Sequence, residues 1–215
     1  MFTILKGGVA PKIKTEFSSS ADLCSRGDIT IGAGETKIIP LGVKIDLEQI
    51  KNICFEEYKE FMKIQDPKNG FTTIQFQEAY TKFLASHFFE LKLRSSLAIK
   101  AGLIIANGVG EIDIDYPDEI GLIVHNPVRV FNIQSGEECF DSGRSVTINN
   151  GERVAQIKLM PHKNYLMPNE YRSLDKRIGG FGSTNKTYNN HSESCECEEC
   201  QDWKKDYNKR NNTTY

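Results

Sequence analysis

Asn107-Gly-Val-Gly-Glu-Ile-Asp-Ile-Asp-Tyr116 is the stretch from which the rest of this 215-residue chain is best read. It is glycine-rich, then acidic, and it stands beside an apolar run, Ile120 to Val124. Gly108-Val-Gly110 lacks the third glycine of a dinucleotide-binding turn, and no glycine loop in the chain carries the Walker lysine. Three other stretches share its character: Arg94-Ser-Ser-Leu-Ala98, Gly151-Glu-Arg-Val-Ala-Gln156 and Gly179-Gly-Phe-Gly-Ser-Thr184. Arg94 with two hydroxyls and backbone amides suits a phosphate, and equally a capped turn. The last stretch can wrap phosphates with main-chain N–H groups and lay Phe181 on a base, or serve as a flexible loop. Phosphate binding by these segments requires an architecture other than a P-loop or a Rossmann turn.

Outward from that stretch, Thr36 to Leu47, Phe88 to Leu93, Ile120 to Val124 and Val154 to Met160 are rich in β-branched or aromatic residues, with Gly, Pro and Asn between them. They predict a mainly β body. Between the first two the period changes. Leu47, Ile50, Ile53, Cys54, Tyr58, Phe61 and Met62 recur at helical spacing, as do Phe76, Ala79, Tyr80, Phe83, Leu84 and Phe88. Asp66-Pro-Lys-Asn-Gly70 predicts the turn between two helices, and Thr72 with Gln75 a capping box on the second. Residues 48–86 therefore predict a helical hairpin inserted in a strand connection. Its apolar stripes suit packing on the body or on each other, and also offer a surface to a protein partner. The turn is not a calcium loop: Phe71 stands where the sixth-position glycine is required, and Glu78 falls at position thirteen. Residues 185–215 are polar and read as a tail that cannot repay the entropy of ordering.

The 27 Lys and Arg nearly cancel the 29 Asp and Glu, so no global basic field exists and general nucleic-acid binding is not expected. With 39% hydrophobic residues the chain can build a core. Its longest apolar run, Ala101 to Ala106, is far short of the ~20 residues that cross a bilayer, so no membrane span is expected. The opening MFTILKGGVAPKIK shows no charged leader, apolar core and cleavage site. The expected location is the cytoplasm, or the nucleus or host cytoplasm for a viral protein. Cys24, Cys54 and Cys139 read as small fillers. His191, Cys195, Cys197 and Cys200 offer a Cys₃His zinc set, yet their spacing is not a paired-knuckle pattern and the interleaved glutamates fit a solvated acidic tail, the preferred reading.

Taken in chain order, the polar stretches resemble the five motifs of the homotrimeric dUTP diphosphatase (dUTPase) family. Ser20-Ala-Asp-Leu23, with Asp28-Ile-Thr-Ile31 and Pro40-Leu-Gly42, is similar to the first motif. Arg94-Ser-Ser-Leu-Ala98 resembles the second and Asn107 to Tyr116 the third. Gly151-Glu-Arg-Val-Ala-Gln156 resembles the fourth, and Gly179-Gly-Phe-Gly-Ser-Thr184, preceded by Arg177, the fifth. Leaving out the insertion, the stretch from Pro127 to Ser142 and the tail, about 140 residues remain, the size of one compact domain.

The resemblance implies a distorted β-barrel or jelly roll over residues 1–184, interrupted by the helical insertion at 48–86 and followed by the Cys-containing tail 185–215. It implies hydrolysis of dUTP to dUMP and pyrophosphate by water attack on the α-phosphorus with Mg²⁺, limiting uracil in DNA and supplying dUMP for dTMP synthesis. Asp113 stands at the general base. Tyr116 corresponds to the plate that packs on the sugar and rejects a 2′-hydroxyl. Asn107, with the hairpin backbone through Gly110 and Ile112, corresponds to the uracil reader, whose fixed main-chain partners leave a wrong base unpaired. Arg94, Ser95, Ser96 and Gln156 would hold the phosphates. Arg177, Gly182, Ser183 and Thr184 would close on the far end while Phe181 covers the base. Asp22 would steady waters on a Mg²⁺ bound through substrate oxygens. Family members are homotrimers whose sites each draw on three chains, the fifth motif arriving as an arm.

The pattern has departures. Leu93 occupies the usual proline before the Arg-Ser pair, Asp118 replaces a glycine, Lys176 holds the commoner arginine position next to Arg177, and Asn185 replaces a glycine after Ser-Thr. dCTP deaminase shares the fold and an Arg-Ser-Ser motif but needs a carboxylate on the strand after the third motif; here Gly121-Leu-Ile-Val-His-Asn126 has none. The alternative from another class is a nucleotide-sensitive regulatory module that binds a protein through the helical insertion.

Overall fold

A computed structural model describes residues 1–132, 138–141 and 144–168, all within the compact unit Met1–Arg177. In chain order the strands are β1 (Phe2–Ile4), β2 (Ala21–Cys24), β3 (Ile29–Ile31), β4 (Thr36–Pro40) and β5 (Val43–Ile45). Two helices follow, α1 (Leu47–Gln65) and α2 (Thr73–Leu84), and then β6 (His87–Leu93) and α3 (Ser95–Ala101). The remainder is β7 (Ile104–Ile105), β8 (Gly110–Asp113), β9 (Gly121–His125), β10 (Arg129–Asn132), β11 (Glu138–Asp141), β12 (Val146–Ile148) and β13 (Arg153–Pro161). A mainly β body with an inserted helical hairpin is what the alternation and the change of period predict.

Among the described residues all pairings are antiparallel. The central sheet has the order β2-β13-β6-β8, β4-β9-β7 forms a second, and β1-β5, β3-β12 and β10-β11 are two-stranded. One face of the central sheet is apolar. Leu23 lies opposite Ala155, which lies opposite Leu93, and Ile157 opposite Leu91. With Ile31, Ile39, Leu122, Val124 and Ile148 from the other sheets, and Leu41 from the turn after β4, they form one core, each large side chain contributing about 1.5–3 kcal/mol.

The insertion is built as its caps dictate. Asp46 accepts from the Gln49 N–H at the start of α1, and Thr72 and Gln75 complete the capping box of α2. The interhelix seam is aromatic: Phe55 meets Phe71 and Phe76 edge-on, Tyr58 meets Phe71, and Phe76 stacks on Tyr80. Tyr80 donates its hydroxyl to Leu47 O at 3.1 Å, tying α2 back to the root of α1. The stripe predicted for α1 is wider than the face it buries. Ile50 is fully buried, whereas Ile53 and Phe61 are exposed, because among the described residues α1 beyond its first turns packs on α2 and the Phe71 turn.

Candidate active site

The central sheet strings four of the polar stretches onto neighbouring strands. Asp22 on β2 lies opposite Gln156 on β13, which lies opposite Lys92 on β6. Leu91 pairs with Gly110 and Phe88 with Asp113 on β8. Directly opposed residues share a face, so Asp22, Gln156, Lys92 and Asp113 all project from the side opposite the core. Glu90, Glu111 and Lys158 occupy the same outer face. Lys92 and then Lys158, at 2.8 and 3.1 Å, hold the Glu90 carboxyl below the usual range.

A bulge gives this face its cation. The β13–β2 register shifts between Arg153 and Ala155, so Val154 and Ala155 are both fully buried in succession. Strict alternation would send Arg153 into the core with Ala155. The extra residue instead releases it to the outer face, where Nη1 donates to Asp22 Oδ2 at 2.8 Å. Asp22 is 5% exposed. Its other oxygen accepts from Gln156 Nε2 at 3.3 Å and lies 3.6 Å from Arg94 Nε. Asp22 thereby organises two guanidiniums and an amide at one end of β13.

Arg94 is the N-cap of α3, with its N–H donated to Val154 O at 3.0 Å. Ser95 is exposed and Ser96 half-buried beside it, while Leu97 anchors the helix in the core. The far end of α3 is also held. Arg144 donates to Ala101 O and to Asn126 Oδ1, and the fully buried Asn126 amide donates to Ile31 O at 2.9 Å.

The stretch from Asn107 forms a tight turn into β8. Gly108 has φ +75°, and Val109 N–H donates to Asn107 O at 2.9 Å. Gly110 is buried against β6, where a Cβ would come within 3.1 Å of Leu91 Cβ. Asn107 and Asp113 are exposed, Ile112 half-buried and Tyr116 buried. The Tyr116 N–H donates to Asp113 O at 3.0 Å, closing the turn after β8. Burial, and then the charges of Asp118 and Glu119, push the Tyr116 hydroxyl up from its ordinary value.

No family model matches the chain. The deoxyuridine 5′-triphosphate nucleotidohydrolase of Rickettsia felis is 30% identical over 182 residues, which cover 82% of this chain and 88% of that protein. The chain belongs to the dUTPase family. The Bdellovibrio bacteriovorus nucleotidohydrolase is 38% identical over 95 residues, 43% of this chain and 54% of that protein. Among solved structures, dUTPase from Streptococcus mutans is 21% identical with a TM-score of 0.47, covering 78% of this chain and 98% of that one.

Within this dUTPase-family chain, Asp22, Arg94, Ser95, Ser96 and Gln156 come together at one end of the central sheet. Asp113 lies at the other end of β6, and Asn107, Gly110, Ile112 and Tyr116 follow the hairpin. Arg177, Phe181, Gly182, Ser183, Thr184, and the zinc candidates His191, Cys195, Cys197 and Cys200, lie outside the described residues. Among the described residues no cluster of three or more His, Cys, Asp or Glu could hold a metal, and no helix is long and apolar enough to cross a membrane. Sequence reasoning gave no role to Arg153, Arg144 or the pair Arg26 and Glu119. Arg153 stood inside the fourth stretch, but the bulge that frees it shows only in the successive burial of Val154 and Ala155, which the sequence does not carry.

Proposed function

We propose that the protein is a dUTP diphosphatase that hydrolyses dUTP to dUMP and pyrophosphate, keeping uracil out of DNA and supplying dUMP for dTMP synthesis. Family membership over most of the chain supports the substrate, and the outer face of the central sheet supports the chemistry. Asp113 takes the proton of the water that attacks the α-phosphorus; its carboxylate is exposed at a strand end, where a water can reach it. Asn107 and the backbone of Gly110 and Ile112 read uracil, and Tyr116 backs the sugar. Arg94, Ser95, Ser96 and Gln156 hold the phosphates, Arg153 keeps Asp22 and Gln156 in place, and Arg177 with Phe181, Gly182, Ser183 and Thr184 closes the site.

The donor set suits a Mg²⁺ carried by substrate oxygens. Both Asp22 oxygens are engaged by Arg153, Arg94 and Gln156, which leaves Asp22 the task of ordering waters on the ion. When bound, Mg²⁺ neutralises charge on the phosphates.

One observation carries the architecture of the site. Phe88, the partner of Asp113, and Arg94 are six residues apart along β6 and its extension, about 20 Å at about 3.3 Å per residue. One chain cannot apply both ends to the same phosphate group. The separation supports a site shared between subunits, Asp113 of one facing the Arg94 end of another; the homotrimer we propose for it rests on the family resemblance. The body of 1–184 with its insertion at 48–86, and the tail 185–215, are the organisation we propose for the rest.

The testing experiment is pyrophosphate release from dUTP, dCTP, dTTP and UTP, with Mg²⁺ and with EDTA. Magnesium-dependent release from dUTP alone is expected; equal release from dCTP or UTP would reject the assignment of base reader and sugar plate.

A second reading is compatible with the first: the insertion binds a protein and reports nucleotide occupancy. The observation in its favour is that α2 runs straight into β6. Ser86 and His87 are locked to Phe83 O, His162 N–H donates to Ser86 O at 2.7 Å, and the next residue, Phe88, pairs with Asp113.

A further inference from the structure

We propose that Arg26 and Glu119 form a brace that sets the position of Tyr116, and with it the protein's preference for deoxyribose over ribose. The inference deepens the reading of Tyr116 as the sugar plate and rests on it.

Tyr116 is 6% exposed and its ring belongs to the core. Its hydroxyl reaches the main chain three residues on, at Glu119 O, 3.5 Å away. The placement of Glu119 therefore governs the polar end of the ring, and Glu119 is held from three directions. Arg26 Nε donates to Oε1 at 2.7 Å, Arg26 Nη2 donates to Oε2, and the Gly42 N–H donates to Oε1 at 2.7 Å. A two-pronged guanidinium grip fixes both distance and plane. Burial alone would raise the Glu119 carboxyl, but the Arg26 and Gly42 hydrogen bonds with the Arg26 charge bring it below the ordinary value.

The anchors are themselves tied to the body. Arg26 N–H donates to Pro40 O at 2.8 Å, and Leu41 N–H to Ile120 O at 3.1 Å. Gly42 crosses Gly8 so closely that a Cβ on Gly8 would lie 2.2 Å from Gly42 O. The Tyr116–Ile120 segment is thus bolted to the turns after β2 and β4, which are far from it in sequence.

A 2′-hydroxyl exceeds a hydrogen by one oxygen atom. Rejecting it by contact requires a plate held to within about 0.5 Å. An isolated exposed ion pair would add little, but the Glu119 side chain is only 21% exposed and saturated with donors. Without the brace the segment keeps its backbone bonds at Leu41 and Val43 but loses the side-chain grip, and the ring recedes enough to admit ribose.

The test compares kcat/KM for UTP with kcat/KM for dUTP in the full chain and in Glu119→Gln, Arg26→Gln, Arg26→Lys and Tyr116→Ala. The expected result is a UTP:dUTP ratio about tenfold higher in Glu119→Gln and Arg26→Gln. Arg26→Lys, which keeps the charge and loses the fork, should fall between them and the unmodified protein. A merely structural pair would lower thermal stability and scale both substrates equally, leaving the ratio in place. Arg26 is half-exposed, so Arg26→Gln folds even where Glu119→Gln loses stability. An unchanged ratio in both brace variants, with Tyr116→Ala raising it, overturns the brace and spares the plate. An unchanged ratio in Tyr116→Ala overturns the plate and the brace together.

Discussion

Asp113 and Asp22 project from the same face of one sheet and stand in opposite surroundings. Asp22 is buried and ringed by Arg153, Arg94 and Gln156, so it positions other groups. Asp113 is exposed at a strand end, where a water can reach it. Replacing Asp113 with Asn, which has the same shape and no basic oxygen, should lower dUTP hydrolysis by about 10²- to 10⁴-fold and leave the unfolding midpoint unchanged; pyrophosphate release and thermal denaturation check both halves. Glu119 gives a pH prediction of definite sign. Its carboxyl lies below its unfolded value, so its stabilisation is present at neutral pH and is lost as pH falls through the depressed folded value. Glu119→Gln should therefore flatten the acid limb of a stability–pH profile below about pH 5, measured by denaturant midpoint. The hairpin that carries Asp113 was legible because its neighbours from Asn107 to Tyr116 form a continuous pattern. Arg153 was not, since its meaning depends on Asp22, 131 positions away, and on a bulge that no local periodicity announces.

At the scale of elements, α3 presents Ser95 and Ser96 and is held at both ends, by Val154 O on the Arg94 N–H and by Arg144 on Ala101 O. A cation at a helix C-terminus meets the orphan carbonyls and the negative end of the dipole. Arg144→Met should cost about 2 kcal/mol of stability and raise KM for dUTP, read from denaturant unfolding and steady-state kinetics. The insertion makes a different forecast. Thr72→Ala removes the capping box and about 1 kcal/mol from α2, and because the hairpin can open on its own, faster hydrogen exchange in α2 should appear without a shift of the global midpoint. The helices were legible from their period, their turn and their cap. The width of the buried stripe was not, because periodicity records which residues are apolar and says nothing of how many neighbours a protruding hairpin finds.

For the molecule as a whole, the span of about 20 Å between the Asp113 and Arg94 ends of β6 lets the proposed shared site be tested by mixing subunits. Subunits carrying Asp113→Asn and subunits carrying Arg94→Ala should each be inactive alone. Co-refolded, they should regain hydrolysis, since mixed trimers contain interfaces that pair two intact ends; no recovery from a mixture that does co-assemble would reject the shared site. The β body could be read from the sequence, whereas the offset between Asp113 and Arg94 could not, because it follows from strand register and that is fixed by long-range pairing. The insertion also leaves and re-enters the body at neighbouring points: Phe2, opposite Ile45 at the end of β5, has its ring 5.0 Å from Phe89 near the start of β6. To a protein engineer that junction is a socket. A circularly permuted fluorescent protein plugged in between Asp46 and His87 would have one root next to Phe88, the register partner of Asp113, and its brightness would follow nucleotide occupancy in living cells.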